Sequence, residues 1–316
     1  MKQKNIAWIL IIALFMASTS FKNQSDLTAE LVLDAKATLG EGSIWHPMEN
    51  KLYWIDIEGK ALHVYDPLTK KDNQYDVGES IGTVVPVMGG GVLVALQNGI
   101  HQMDMNTGKL KPVVNPLPDS NMRFNDGKCD PSGRFWVGSM ALDSRRKGAA
   151  LYRLDSDKGI HQMLDSVTIS NGIVWTADKK TMYYNDTPTM TVQAFDYDDK
   201  TGAISNRRIA IKIPRGMGAP DGMTIDSEDK LWIALWGGNA VGRFDPSTGA
   251  LMQKINVPAP HVSSCAFGSE DLKTLYITTA RAWVKPEKLI EFPLSGGLFA
   301  IRTEVKGVPA SFFRYD

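Results

Sequence analysis

The sequence predicts an all-β protein and, within that class, a six-bladed β-propeller. Three observations carry the prediction. Beyond about residue 20 there is no long helical hydrophobic period; short apolar runs alternate with turns rich in Asp, Gly, Lys and Pro. The runs come in pairs, and the second run of most pairs carries an aromatic residue. With Trp54, Val94, Trp136, Tyr184, Trp232 and Tyr276 taken as equivalent, successive positions are 40, 42, 48, 48 and 44 residues apart. A period of about 40–50 residues made only of strands and turns marks propeller blades, each a small four-stranded sheet.

The pairs follow in order. Residues 43–45 lead to 52–54, 128–130 to 134–136, 173–175 to 182–184, 223–225 to 231–233, and 265–267 to 275–277. Residues 91–96 repeat the pattern without the aromatic. Outer hairpins show at 64–67, 194–197 and 242–246, each running into a turn rich in Lys, Thr or Gly. Six copies use nearly all of the chain beyond about residue 20 and leave none for a seventh. The segment 27–33 is then expected to pair with strands near the C-terminus, closing the ring and covering its edges.

The first twenty residues stand apart. Lys2 and Lys4 precede an apolar run at 6–16, and Ala17, Ser18, Thr19 and Ser20 follow it. These are the parts of a secretory signal peptide, and the run is shorter than the ~20 residues a spanning helix needs. The expectation is a cleaved signal at 1–20 and one propeller domain at 21–316, exported to the periplasm or secreted, with no stable membrane association after cleavage. The 35 basic and 35 acidic residues balance, so no large basic field is available for nucleic acid. Export would permit a disulfide, but Cys129 and Cys265 both sit in apolar strand-like runs and read as free buried thiols. Two Cys and five scattered His give no zinc-ligand spacing.

Polar residues break the apolar pattern at one phase of the repeat. Glu41-Gly42, Asn171-Gly172 and Asp221-Gly222 each stand immediately before a blade's first strand, and the third blade carries the longer form Arg123-Phe124-Asn125-Asp126-Gly127. Singly, Asn-Gly and Asp-Gly are ordinary turn dipeptides. In a propeller, however, innermost strands line the central channel, so residues more than 40 positions apart converge about one axis. Carboxylates and amide oxygens gathered in a narrow funnel repel one another or take up protons unless a cation joins them. An oxygen-only donor set suits Ca2+, Mg2+ or Mn2+, and the lack of His and Cys argues against a preference for zinc.

These strings, in order with Gly133-Arg134-Phe135-Trp136-Val137-Gly138-Ser139-Met140 and Lys230-Leu231-Trp232-Ile233-Ala234, resemble the regucalcin (senescence marker protein), gluconolactonase and luciferin-regenerating enzyme family from about residue 39 to residue 301. The resemblance implies one divalent metal ion at the channel mouth, held by Glu41, Asn171 and Asp221. Ca2+ is the foremost candidate, with Zn2+, Mn2+ and Mg2+ as alternatives. It implies Asp221 as general base, and Arg123 and Asn125 as substrate contacts, with Asp126 left structural. The expected activity is metal-dependent hydrolysis of a small sugar-acid lactone. The alternative is a metal- or calcium-binding propeller with a regulatory role and no turnover. One departure is the short segment after Met140, where Asp143 could supply an acidic contact but Arg145, Arg146 and Lys147 make the rim basic. A covalent route is disfavoured, since no Gly-x-Ser-x-Gly elbow is present and Ser139 and Ser170 lack a nearby His. Trp45, Trp236, Arg281, His46 and His261 fall near blade mouths and are expected to belong to core or rim.

Overall fold

In the computed structural model, which describes residues 27–316, paired strands extend into four-stranded antiparallel meanders. One comprises Gly40–His46, Lys51–Asp56, Ala61–Asp66 and Lys71–Asp76. The next comprises Ile81–Pro86, Val92–Leu96, Gly99–Met103 and Leu110–Val114. A third uses Met122–Cys129, Phe135–Ala141, Ala149–Leu154 and Ile160–Val167, and a fourth Ser170–Trp175, Thr181–Asp186, Thr191–Asp198 and Ala203–Lys212. The rest forms a nine-stranded sheet. Within it, Ala219–Ile225, Leu231–Trp236, Ala240–Asp245 and Ala250–Asn256 make one meander, and His261–Gly268, Thr274–Ala280 and Leu298–Arg302 another. A single residue pair, Trp236 opposite His261, joins the two.

The arrangement is nearly all-β and propeller-like. The strands that begin each meander contact one another in cyclic order, and His261–Gly268 returns to Gly40–His46. Glu30–Leu33 pairs antiparallel with Leu298–Arg302, and Leu27–Thr28 adds in parallel to Ala250–Asn256. The start of the described chain thus covers an edge near its end, as the residue count required. The segment read as a signal peptide, residues 1–20, lies outside the described residues. Among the described residues no helix is long and apolar enough to cross a membrane.

Burial explains the repeat. Gly40–His46 is buried throughout, whereas the fourth strand of the same sheet, Lys71–Asp76, is mostly exposed. The six equivalent residues of the second strands lie in the core between sheets, none more than 3% exposed. Trp136 meets Trp175 of the next sheet edge-on at 5.8 Å. Indole N–H groups this deep need acceptors. Trp54 Nε1 donates to Asp72, Trp136 Nε1 to Asp130 and Trp232 Nε1 to Asp226, at 3.1, 2.9 and 2.9 Å. Asp130 also accepts from Tyr197 Oη at 2.7 Å, tying the third sheet to the fourth. Cys129 and Cys265 are buried free thiols.

Candidate functional site

The polar residues singled out in the sequence lie within the first strands, not before them. Each of these strands slips register against its neighbour at the same phase: between Glu41 and Ile44, Phe124 and Gly127, Ser170 and Ile173, and Pro220 and Met223. Such bulges bend a strand and re-aim side chains. The glycines are not hairpin residues. A Cβ on Gly172 would lie 2.8 Å from the Asp221 carbonyl oxygen, and one on Gly222 would lie 2.8 Å from Ser264 Oγ. Adjacent first strands approach so closely that only glycine fits. Gly42 additionally has φ +57, the left-handed region that favours glycine.

Glu41, Arg123, Asn125, Asp126, Asn171 and Asp221 are all buried. Burial pushes the Glu41 carboxyl from an ordinary 4.5 up to about 8, and the charge of Asp126 adds to the rise. Asp221 is raised well above its ordinary value by burial and by the charges of Glu41 and Asp126. Asp126 is also raised by burial, although the nearby Lys128 ammonium opposes this. Arg123, buried as well, has its pKa lowered by desolvation, with Glu58, Glu41 and Asp221 favouring its charged form. The structure therefore draws Asp126, read as structural from sequence, into the same electrostatic cluster.

Hydrogen bonds orient these groups. Arg123 Nη1 donates to Asn125 Oδ1 at 2.7 Å and to the Phe124 carbonyl at 2.8 Å. Asn125 Nδ2 donates to the Ser170 carbonyl at 2.7 Å. Asn171 Nδ2 donates to Thr187 Oγ1, whose hydroxyl donates to the Pro220 carbonyl. Asn185 was not singled out from sequence, yet it is fully buried and its Nδ2 donates to the Asp221 carbonyl at 2.8 Å. Only its place at the buried end of a second strand hinted at it.

Several buried oxygens lack partners: Asn171 Oδ1, Asp221 Oδ1, Asp126 Oδ2 and Asn185 Oδ1. Leaving such atoms unsatisfied costs about 1–3 kcal/mol each. Glu41, Asn171 and Asp221 supply oxygen donors only, the chemistry of a hard divalent ion. Among the described residues there is no cluster of three His, Cys, Asp or Glu arranged for a metal; here the third donor is an amide. The orphaned oxygens and the mutually raised carboxyls fit a cation.

Other candidates separate by position. Trp236, His261 and Arg281 lie at the same end as Asp221. Trp45 and His46, by contrast, belong to the far end of their strand: Trp45 stacks on Tyr276 at 5.7 Å and His46 packs on Phe312. A cavity of about 530 Å³ at that far end is bordered by Trp45, Cys129, Trp175 and the segment 308–312. The loop after Met140 is exposed, and its Arg145 pairs with Asp119 at 3.5 Å and Asp143 at 4.0 Å. Ser139 Oγ is bonded to the Ala150 backbone and Ser170 Oγ to Tyr184, both fully buried, which fits their exclusion as nucleophiles.

Comparison with known proteins supplies the relatives. The family described as SMP-30/Gluconolactonase/LRE-like region matches residues 39–281. The protein named "Putative sugar lactone lactonase YvrE" of Bacillus subtilis (strain 168) is 36% identical over 89% of this chain and 97% of its own. Regucalcin of Danio rerio is 38% identical over 90% of this chain and 98% of its own. The solved structure of a luciferin-regenerating enzyme superposes with a TM-score of 0.85 at 30% identity, covering 91% of this chain and 99% of that one.

Proposed function

The chain belongs to the SMP-30/gluconolactonase/LRE-like family, and on that premise we propose that it is a metal-dependent hydrolase of sugar-acid lactones built on a six-bladed propeller. The blade count follows from dividing the nine-stranded sheet at its single-pair junction, Trp236 against His261. The family supports a hydrolase acting on a small lactone; the metal, the residue roles and the export suggested by residues 1–20 are our reading. The observation that carries the site assignment is the pair of unpartnered buried oxygens, Asn171 Oδ1 and Asp221 Oδ1, beside the raised carboxyl of Glu41.

Glu41, Asn171 and Asp221 would hold one divalent ion, Ca2+ foremost. When bound, the ion polarises an ester carbonyl and offsets negative charge developing on its oxygen. Asp221 takes a proton from the attacking water. The water oxygen bonds to the lactone carbon, the ring C–O bond breaks, and the leaving ring oxygen gains the proton that Asp221 took, giving a hydroxy acid. Arg123 already orients Asn125 through their 2.7 Å bond, and the two together meet ring hydroxyls, Arg123 as donor and Asn125 through its amide.

The test is a matrix of lactones against Ca2+, Mn2+, Mg2+ and Zn2+, read by proton release. Asp221→Asn, which keeps an oxygen donor, should lower kcat by about 10²–10⁴ while calorimetry still detects metal. An undiminished rate would remove Asp221 as base. Metal binding with no lactone opened would favour the metal- or calcium-binding, regulatory reading.

A further inference from the structure

We propose that the rim beside Asp221 carries a second sugar-binding subsite, so that the preferred lactone bears a glycosyl substituent. This rests on the lactonase reading for its substrate but on separate residues for its geometry. Trp236 ends its strand directly opposite Ala219, two residues before Asp221. His261, which opens the neighbouring first strand, stacks on Trp236 with ring centroids 4.2 Å apart and planes within 10°. Its Nδ1 donates to the Ala282 carbonyl at 2.9 Å, and burial disfavours its charged form. In the neutral ring Nε2 is then a fixed acceptor. Trp283 meets Trp236 edge-on at 5.9 Å.

Trp283 is the unusual member. It is 71% exposed, and its φ of +59 is a conformation bulky residues rarely adopt. Core packing explains neither the exposed indole nor its backbone. A cavity of about 470 Å³ adjoins it, bordered also by Asn239, His261, Lys288 and Glu291. That volume lies within the usual range for small-molecule sites, about 300–1,000 Å³. Asn239 Nδ2 has no hydrogen-bond partner, and Lys288 pairs with Glu291 at 2.5 Å on the solvent side.

An aromatic face bordered by an amide, an imidazole acceptor, an ammonium and a carboxylate matches a pyranose. One face of that ring presents C–H groups to stack on indole, and its hydroxyl edge both donates and accepts. An aryl or acyl substituent would cover the same aromatic surface but leave the polar border unmet. The subsite lies outside the oxygen cluster, so it selects what is attached to the lactone ring and leaves the ring-opening chemistry to Asp221.

The test compares gluconolactone with its 4-O-glucosyl form, cellobiono-1,5-lactone, on the metal-loaded full chain. In Trp283→Ala the ratio of kcat/KM values, disaccharide over monosaccharide, should fall about tenfold, as expected for loss of an aromatic contact. The fall should appear in KM, and Trp283→Tyr should largely restore the ratio. An unchanged ratio, or equal losses on both substrates, overturns the subsite. If no lactone is opened the lactonase reading fails, and saturation-transfer NMR with cellobionate then decides the subsite alone. Transfer to the outer glucose in the wild type and its loss in Trp283→Ala support it; no transfer in the wild type refutes it.

Discussion

Replacing Glu41 with Gln offers a direct measurement of what the oxygen cluster costs the fold. The Glu41 carboxyl is raised from an ordinary 4.5 to about 8. Below about pH 4.5 folded and unfolded chains both hold the proton, and Glu41 carries no penalty. Between there and about pH 8 the unfolded chain releases the proton while the folded chain retains it, so stability falls as pH rises; above about 8 the loss is complete. A shift of this size corresponds to roughly 5 kcal/mol. Asp221, raised in part by the charge of Glu41, acts in the same direction. His46 and His261, whose pKa values are lowered, act in the opposite one, and subtracting the Glu41→Gln profile cancels them. Urea unfolding in chelator, followed by tryptophan fluorescence from pH 4.5 to 9, should therefore show wild type losing stability relative to Glu41→Gln by an amount on the order of that 5 kcal/mol. Adding Ca2+ at about 100 times its Kd should return about 2.7 kcal/mol to wild type at high pH, and affinity should rise with pH as protons give way to the ion. Parallel profiles for wild type and Glu41→Gln in chelator would refute the reasoning, because Glu41 would then not be held protonated by its surroundings.

Two further substitutions probe the frame that carries the site. Asp226 is fully buried and accepts from Trp232 Nε1 and from Arg243 Nε at 2.9 and 2.8 Å; Asp226→Ala should cost about 1–3 kcal/mol in urea unfolding by leaving both donors without an acceptor, while Glu228 still holds Arg243 Nη2. Phe313 is fully buried and its backbone bonds to Pro86 and Met88; Phe313→Ala should cost about 3–5 kcal/mol by calorimetry.

Much of the frame was legible because it repeats. The second-strand aromatics recur in register since each must fill the core between neighbouring sheets, and Trp136 against Trp175 shows that packing. The phase of Glu41, Asn171 and Asp221 was legible for the same reason. What sequence could not show was why glycine follows each of them: the dipeptides read as turns, whereas Gly172 and Gly222 are required by the next strand's backbone and side chains. Nor could it tell the two ends of a strand apart, so Trp45 and His46 read as mouth residues although Glu41 stands at the other end of the same strand. Asn185 escaped notice because its contribution, a bond to the Asp221 carbonyl, depends on two sheets meeting.

The charge balance of the cluster connects these levels. Three buried carboxyls, Glu41, Asp126 and Asp221, face two cationic side chains, Arg123 and Lys128. Lys128 Nζ is held by the Met223 carbonyl at 2.6 Å, so it is fixed among these first strands. One negative charge therefore remains in excess, and with no cation it is relieved by a proton, as the raised carboxyls express. On the proposed reading a divalent ion replaces that proton and brings positive charge among these carboxyls. That is the sign a site needs where a carbonyl oxygen becomes an oxyanion and the product leaves as a carboxylate. On the same reading, the excess of buried oxygens, unfavourable to the fold by itself, is what would draw in a cation and, through it, lower the barrier to ester hydrolysis.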